Sequence, residues 1–445
     1  MLTFLRTEKT RIQAWGGFRK ALYAVTVALI AAYIFTLFSF SGRGGWNYVN
    51  LGVGAAMVLS IVAYELLYGE IRLDEYALIA VAFCLLTILS TLMAGRIFSL
   101  PKSLYFQAAF GIALYQFAKE RENFKWTIAS IAIGGLAFAV YFIVHYRAEF
   151  LALRFFGQDG RLGGFFDNEN NVGRDFVILI LVALYLIIWK KQWYMILYAL
   201  VMAVLLVSTG SISNIVSLAA VIILSAFFAV KGRKKLIVLG ITAGVAVAFA
   251  ALLQLPAMSY FNKRIYGMFA AFFGLSGGDN SFIERFELSR DAILFFLKSP
   301  MFGNGYGYVS YQSIDGLFAH NNFTEIMAAF GIIGLLVYEL LMILPLIRLR
   351  KEKSSLSRLV LALVLYLFIF QMFLVTFYQK IDHIVFGLAF AFVSKGYYGG
   401  LYLSFKGKRV SFGFRVNKDS EGLKRLGEKV KPCPLPLETD KFKID

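Results

Sequence analysis

His320-Asn321-Asn322-Phe323-Thr324-Glu325 leads directly into Ile326-Met327-Ala328-Ala329-Phe330-Gly331-Ile332-Ile333-Gly334 and a further apolar run to Ile347. The run from 323 to 347 is long enough to cross a hydrocarbon core about 30 Å thick. It therefore reads as a membrane-spanning helix with a histidine at its mouth. The chain has three histidines, His145, His320 and His383, and only His320 stands in such a context. Asn322-Phe-Thr-Glu325 has near-capping-box spacing, which places His320 just outside the helix N-terminus. The positive helix end disfavours imidazolium, so this imidazole is expected to be neutral and able to accept a proton near pH 7.

The composition agrees with a membrane location. The 445 residues are 59% hydrophobic, 17% aromatic and 16% charged, with a mean hydropathy of +0.69. A soluble domain of this length carries far more charge, so the chain reads as an all-α polytopic membrane protein. Cys84 lies in an apolar run and Cys433 near the C-terminal end, which gives neither a disulfide framework nor a metal signature. The first apolar run follows a basic leader and is long enough to span, so it reads as an uncleaved signal-anchor.

Apolar runs of roughly 16–24 residues place twelve spans. They lie near 20–40, 47–68, 76–95, 101–118, 126–145, 172–189, 193–209, 213–230, 236–255, 323–347, 359–379 and 383–404. With the N-terminus in the cytoplasm, 31 of the 45 Lys and Arg residues fall in cytoplasmic segments and 13 in exterior loops, with Lys395 inside the last span. The positive-inside rule selects this orientation, with both termini cytoplasmic in a multi-pass protein of the cytoplasmic membrane. The net charge of +18 is then a topology signal and a match to anionic headgroups, and nucleic acid is not an expected partner. Residues 1–405 form the membrane domain. Residues 406–445 are basic, contain proline and lack periodicity, so they are expected to be a mobile cytosolic tail. No internal repeat is read.

Nine of the 13 exterior basic residues concentrate in two loops. Loop A, 146–171, with its junction to the next helix, holds Arg147, Arg154, Arg161 and Arg174. Loop B, 256–322 between spans 9 and 10, holds Lys263, Arg264, Arg285, Arg290 and Lys298. A structureless loop of that length is uncommon, and its aromatic and Gly content predicts that it folds against the membrane surface. In loop A, Gly163-Gly164 lets the backbone turn beside Arg161, and Asn170 or Asn171 can cap the next helix. Asp167-Asn-Glu169 has the form of a D-x-D metal motif, but it faces the exterior, where nucleotide sugars are absent. In loop B, Ser281-Phe-Ile-Glu284 has capping-box spacing and predicts a helix over about 282–298 that stops at Pro300. Arg285 would then lie in its first turn, where free N–H groups favour an anion. Arg290 is five residues on, about 140° around the helix, so the two cannot simply address one ligand. A Gly-rich turn, Pro300-Met-Phe-Gly303-Asn-Gly305-Tyr-Gly307, precedes His320.

These motifs resemble those of the O-antigen ligase and Wzy-type polymerase family. His320-Asn321, nine residues, then Gly331-x-x-Gly334 meets its H-[N/S/Q]-x9-G-x-x-G signature in full. Loop A is similar to R-x-x-G-x-F-x-N-P-N at Arg161, Gly164, Phe166, Asn168 and Asn170, with Glu169 where proline is usual. Arg285 falls at the arginine of R-x-x-x-W, with Ser289 in place of tryptophan, and 300–307 resembles P-x-x-G-x-G-x-G. The resemblance covers roughly residues 155–350. It implies a GT-C-like membrane glycosyltransferase working on the exterior face with an undecaprenyl-diphosphate-linked glycan donor and a glycan acceptor. No metal, nucleotide sugar or other cofactor is implied. The catalytic candidates are His320, Arg285 and Arg161. The substrate-binding candidates are Arg264, Asn170, Asn321 and Arg290. Expected partners beyond the substrates are membrane lipids, a flippase and a chain-length regulator.

Chemically, the arginine fork suits the oxygens of a lipid diphosphate, and a neutral histidine suits deprotonation of a sugar hydroxyl. Such an enzyme could be a polymerase of surface polysaccharide or a ligase moving finished glycan to a lipid core or other acceptor, and polymerase is the working reading. A twelve-span transporter or lipid flippase would instead call for ionisable residues near the midplane and related halves, neither of which is read. A non-catalytic scaffold is the remaining class.

Overall fold

The computed structural model describes residues 15–40, 47–96, 100–152, 161–230, 232–255, 259–273, 275–313, 316–350, 352, 354–393, 400–406 and 409–415. Arg154, Lys395 and residues 416–445 of the expected tail lie outside these. Helices α1 (Gly17–Phe40), α2 (Asn47–Tyr68), α3 (Glu75–Met93), α4 (Lys102–Ala118) and α5 (Arg121–His145) come first. A short α6 (Arg147–Leu151) precedes α7 (Glu169–Ile188), α8 (Met195–Ser208), α9 (Ile212–Ala229) and α10 (Lys234–Leu252). Loop B carries α11 (Ser259–Phe272), α12 (Asn280–Lys298) and α13 (Tyr308–Gln312). The last helices are α14 (Asn322–Leu349), α15 (Ser355–Phe370) and α16 (Lys380–Val393). Each expected span falls on a helix, and six of these helices (α1, α2, α3, α5, α7 and α14) are long and apolar enough to cross a membrane.

The all-α expectation needs one correction. Helix α16 is described as far as Val393 and a strand begins at Gly400, so the last expected span, 383–404, is not helical throughout. Strands β2 (Gly400–Lys406) and β3 (Arg409–Arg415) form an antiparallel hairpin, and β2 also pairs with β1 (Ile71–Leu73). The sequence shows why: Leu401, Leu403 and Phe405, then Val410, Phe412 and Phe414, recur with the period of two that suits a strand. A hydropathy window sees only their apolar content.

Successive long helices alternate in direction, and one end of the bundle gathers the polar side chains. There Asn50 at the start of α2 accepts from Lys380 at the start of α16 (2.6 Å) and donates to Thr36 near the end of α1 (3.2 Å). Arg174 of α7 faces Asp382 of α16 at 3.5 Å, and Asn322 of α14 bonds Gln371 just beyond α15 at 3.0 Å. The opposite end holds the sheet, the Arg348–Glu75 pair (2.5 Å) and the buried Lys119–Glu65 pair (3.3 Å). Between the ends the packing is aromatic and close. Phe138 stacks on Phe176, and a Cβ at Gly387 of α16 would come within 2.7 Å of the Gly111 carbonyl of α4. Such small-residue contacts are how helices approach closely in lipid.

Helix α14 is broken at Gly331, whose φ of 68° and ψ of −171° belong to a region that only glycine adopts readily. In an unbroken helix Ile332 and Ile333 would donate to the carbonyls of Ala328 and Ala329. Instead their N–H groups reach the carbonyls of Pro300 (2.9 Å) and Met301 (3.4 Å). The freed carbonyls of Ala328 and Ala329 accept from the N–H groups of Asn304 (3.0 Å) and Gly305 (2.9 Å). Turn 300–305 is thus spliced into the helix, and all four displaced backbone groups are paired, as an apolar surrounding requires. A side chain at Gly303 would overlap the Ala329 carbonyl, and one at Gly331 would overlap the Met301 carbonyl. Replacement of Gly331 or Gly303 by Ala should therefore destabilise the protein by roughly 1–3 kcal/mol or more. Gly240→Ala in α10, where a Cβ meets nothing within 4 Å, should be neutral or slightly stabilising. Thermal unfolding of the detergent-purified variants checks this, and equal midpoints for all three would contradict it.

Candidate active site

Loop A descends onto α7 through a cap different from the expected one. Asn168 is the N-cap, its Oδ1 accepting from the Asn170 N–H (2.9 Å). Asn170 and Asn171 lie within the first turn, and both are buried. The Asn170 Oδ1 then accepts from Arg161 Nη2 (2.9 Å) and from Ser211 Oγ (2.7 Å). Arg161 also donates from Nε to the Thr209 carbonyl (3.1 Å) at the end of α8, and its Nη1 lies 3.7 Å from Glu169 Oε2. Glu169, the departure from the family pattern, is therefore a counter-ion to Arg161. The carboxylates of the D-x-D-like triplet turn to different neighbours, since Asp167 Oδ1 accepts from the Asn168 N–H (2.6 Å). His145 stacks on Phe165, with ring centroids 3.4 Å apart.

In loop B, Asp279 rather than Ser281 caps α12. Its Oδ1 accepts from the Phe282 N–H (3.0 Å), and its Oδ2 lies 3.4 Å from Arg264 Nε. The helix starts at Asn280, earlier than expected. Arg285 is thereby shifted into the second turn, beyond the free N–H groups assigned to it above. Arg264 is held further by the Tyr260 hydroxyl, to which Nη1 donates at 3.1 Å. Arg285 is different. It is half-buried, and among the described residues no hydrogen bond or ion pair occupies its guanidinium. Burial first, then the positive charges of Arg264 and Arg161, press it below the ordinary arginine value. Three guanidiniums from three separate segments thus lie within electrostatic reach of one another. Arg290 does not join them: it is 68% exposed, with Nε 3.9 Å from Asp291.

His320 has a φ of 53°, a left-handed conformation that costs a non-glycine residue about 1–2 kcal/mol. Its neighbours hold it there. Asn321 is the N-cap of α14, accepting from the N–H groups of Phe323 (3.0 Å) and Thr324 (3.3 Å). Glu325 reaches back to the Ala319 N–H (2.9 Å), and Ser289 of α12 donates to the Ala319 carbonyl (2.8 Å). Asn322, the expected cap, is instead buried and accepts from the N–H groups of Thr376 and Phe377, both at 2.9 Å. The His320 imidazole has a buried Nδ1 with no hydrogen-bond partner among the described residues. Burial, followed by the charge of Arg285, lowers its pKa to about 4. It is neutral at pH 7, and the larger causes are its burial and the neighbouring guanidinium. His383 is buried, with Nε2 3.1 Å from the Phe377 carbonyl.

The network behind these groups escaped the sequence reading. Arg174, placed above at the edge of loop A, lies inside α7 and is 3% exposed. It faces Asp382 at 3.5 Å and Asp175 at 3.6 Å, and Gln371 donates to Asp382 (3.4 Å). A lone aspartate in the apolar run 380–393 was the available signal, since a buried carboxylate needs a partner.

The geometry brings together a cationic cluster (Arg161, Arg264 and Arg285) and a neutral histidine coupled to it through Arg285. Through that coupling, removing Arg285 makes protonation of His320 easier. With labelled histidine the three imidazoles can be followed by NMR, and the His320 midpoint should rise from about 4 towards 6.5 in Arg285→Ala. An unchanged midpoint would separate the two residues.

Residues 197–338 match the O-antigen ligase family. That stretch contains Arg264, Arg285, His320 and the helix break at Gly331, whereas Arg161 and Asn170 precede it. No curated protein matches the chain. The family suggests a glycan-transferring enzyme, with lipid-linked glycans as substrates. The matched stretch supports an O-antigen ligase/Wzy-type family for the part of the chain that carries Arg264, Arg285 and His320, and the apolar helices indicate a multi-pass membrane protein.

Proposed function

We propose that the chain is a glycosyltransferase that polymerises undecaprenyl-diphosphate-linked oligosaccharide repeat units into surface polysaccharide, such as O-antigen, capsule or exopolysaccharide. The observation that carries this reading is Arg285. It is a half-buried guanidinium with no hydrogen bond or ion pair among the described residues, in reach of two further arginines and of a neutral imidazole. Like charges gathered in this way need an anion, and a lipid diphosphate at headgroup level supplies one with several oxygens for bidentate contact.

In this mechanism the guanidiniums of Arg285, Arg264 and Arg161 take up the negative charge that develops on the departing diphosphate. His320 accepts the proton of an acceptor sugar hydroxyl. The hydroxyl oxygen bonds to the anomeric carbon of the donor as the bond from that carbon to the diphosphate oxygen breaks. Asn170 fixes Arg161, and Asn321 fixes the turn that carries His320. The distribution of basic residues supports an orientation with both termini in the cytoplasm and this site at the outer face of the cytoplasmic membrane. A flippase delivering the donor and a chain-length regulator are the proposed protein partners.

One observation favours a second reading. The matched family is described as O-antigen ligase, and a ligase would use the same groups to move finished glycan onto a lipid core or other acceptor. A transporter has less support. Glu339, 8% exposed within α14, is the kind of intramembrane carboxylate that transport would use, but the loop arginines have no task there.

A reconstituted reaction with a single lipid-diphosphate-linked repeat unit, resolved on a gel, tests the proposal. A ladder is expected from the wild type, with transfer reduced about 100-fold or more in His320→Ala and in Arg285→Ala. Since His320 acts only when unprotonated, kcat/KM should fall as pH drops through about 4, and in Arg285→Lys, which keeps the charge, that limb should stay put. Transfer only to an added acceptor would identify the ligase. Full activity in a stably inserted Arg285→Ala variant would overturn the mechanism.

A further inference from the structure

At the same end of the bundle as His320, a cavity of about 340 Å³ opens between the end of α1 and the starts of α2, α4, α7 and α16. It is separate from the arginine cluster but adjoins it. Tyr378 lines the cavity, and its ring packs 5.7 Å from that of Phe318, two residues before His320. Asp167, also in the lining, follows Arg161 by six residues on loop A.

The chemistry of its wall differs from that of the arginine cluster. Arg174 and Lys380 are matched by Asp167 and Asp175, so the wall is balanced in charge and does not select an anion. Arg174 and Asp175 are turned to each other, with Nε 3.6 Å from Oδ1. Gln107 is 4% exposed, and among the described residues nothing hydrogen-bonds to its Oε1. Buried polar atoms are normally satisfied, so this lining residue has an acceptor to offer a ligand. At the rim Tyr48 is 77% exposed and Phe106 is 50% exposed. A ligand with several hydroxyls, each able to donate and accept, and with apolar ring faces fits both features.

We propose that this cavity binds the acceptor glycan and holds its terminal sugar beside His320, an assignment that rests on the transferase reading above. Its volume is at the lower end of the roughly 300–1,000 Å³ of small-molecule pockets, suited to the end of a glycan and not to a whole chain. Donor and acceptor then meet across Tyr378 and loop A, with the diphosphate on the cationic side and the incoming hydroxyl on the neutral side. Gln107 serves as a binding residue and touches no reacting atom, and the Arg174–Asp175 pair forms the charged part of the wall behind it.

The test uses the purified full-length chain and, as probe, the free oligosaccharide released by mild acid from lipid-linked repeat units, which carries no diphosphate. Calorimetric titration should show binding that falls at least tenfold in Gln107→Leu and several-fold in Tyr48→Ala, and that is unchanged in Arg285→Ala. The exposed position of Tyr48 keeps the test valid if Gln107→Leu does not fold. In the transfer assay the same two variants should raise the acceptor KM and leave the donor KM alone. Glycan binding that ignores both variants, or that is lost in Arg285→Ala, would overturn the assignment. Absence of transfer by the wild type to any acceptor would instead overturn the transferase reading while glycan binding stayed in the cavity.

Discussion

The break in α14 sets the geometry of everything around it. A helix interrupted among apolar side chains must find new partners for the N–H and carbonyl groups it releases. Here turn 300–305 supplies them one for one: Pro300 and Met301 accept from Ile332 and Ile333, while Asn304 and Gly305 donate to Ala328 and Ala329. The exchange ties the end of α12 to the middle of α14. Asn304 also donates from its side chain to the Phe295 carbonyl (2.9 Å). Above it, Ala292, Val309, Ala319 and Ala328 form a small buried cluster. Arg285 on α12 and His320 before α14 thus sit on elements locked together at both levels, which is the rigidity a preorganised site needs.

The electrostatics follow from that placement. Arg161 and Arg264 each have a carboxylate and further hydrogen-bonding groups to hold them, whereas at Arg285 burial and two like charges outweigh the attraction of Asp279 and Glu284. His320 gives up its proton readily because it is buried and, after that, because it feels Arg285 as a cation. The left-handed backbone at His320 is sustained by the cap at Asn321 and the clasp from Glu325 to Ala319. The same residue types that appear in the sequence as a motif are therefore divided between presenting the imidazole and keeping it neutral.

Much of this was legible in the chain because hydropathy and spacing are local properties. Each expected span falls on a helix, and Arg161, Arg264, Arg285 and His320 were all singled out. The errors have local causes too. Three caps were misplaced by one to three residues, because Asp and Asn neighbours compete for the same N–H groups and spacing cannot choose between them. The hairpin 400–415 was partly absorbed into a span because alternation is invisible to a hydropathy window. Arg290 was set aside from Arg285 by its helical angle, and the structure turns it to solvent. What the sequence could not offer was long-range: the splice of the two glycine motifs, the Arg174–Asp382 contact, and the cavity beside Tyr378. Each joins residues that are distant in the sequence.

The most direct measurement is a cryo-EM map of the protein in a lipid nanodisc with a bound undecaprenyl-diphosphate-linked glycan. The account predicts diphosphate density against the guanidiniums of Arg285, Arg264 and Arg161, with the anomeric carbon on the His320 side and α14 still broken at Gly331. Diphosphate density elsewhere, with Arg285 facing lipid or solvent, would contradict it.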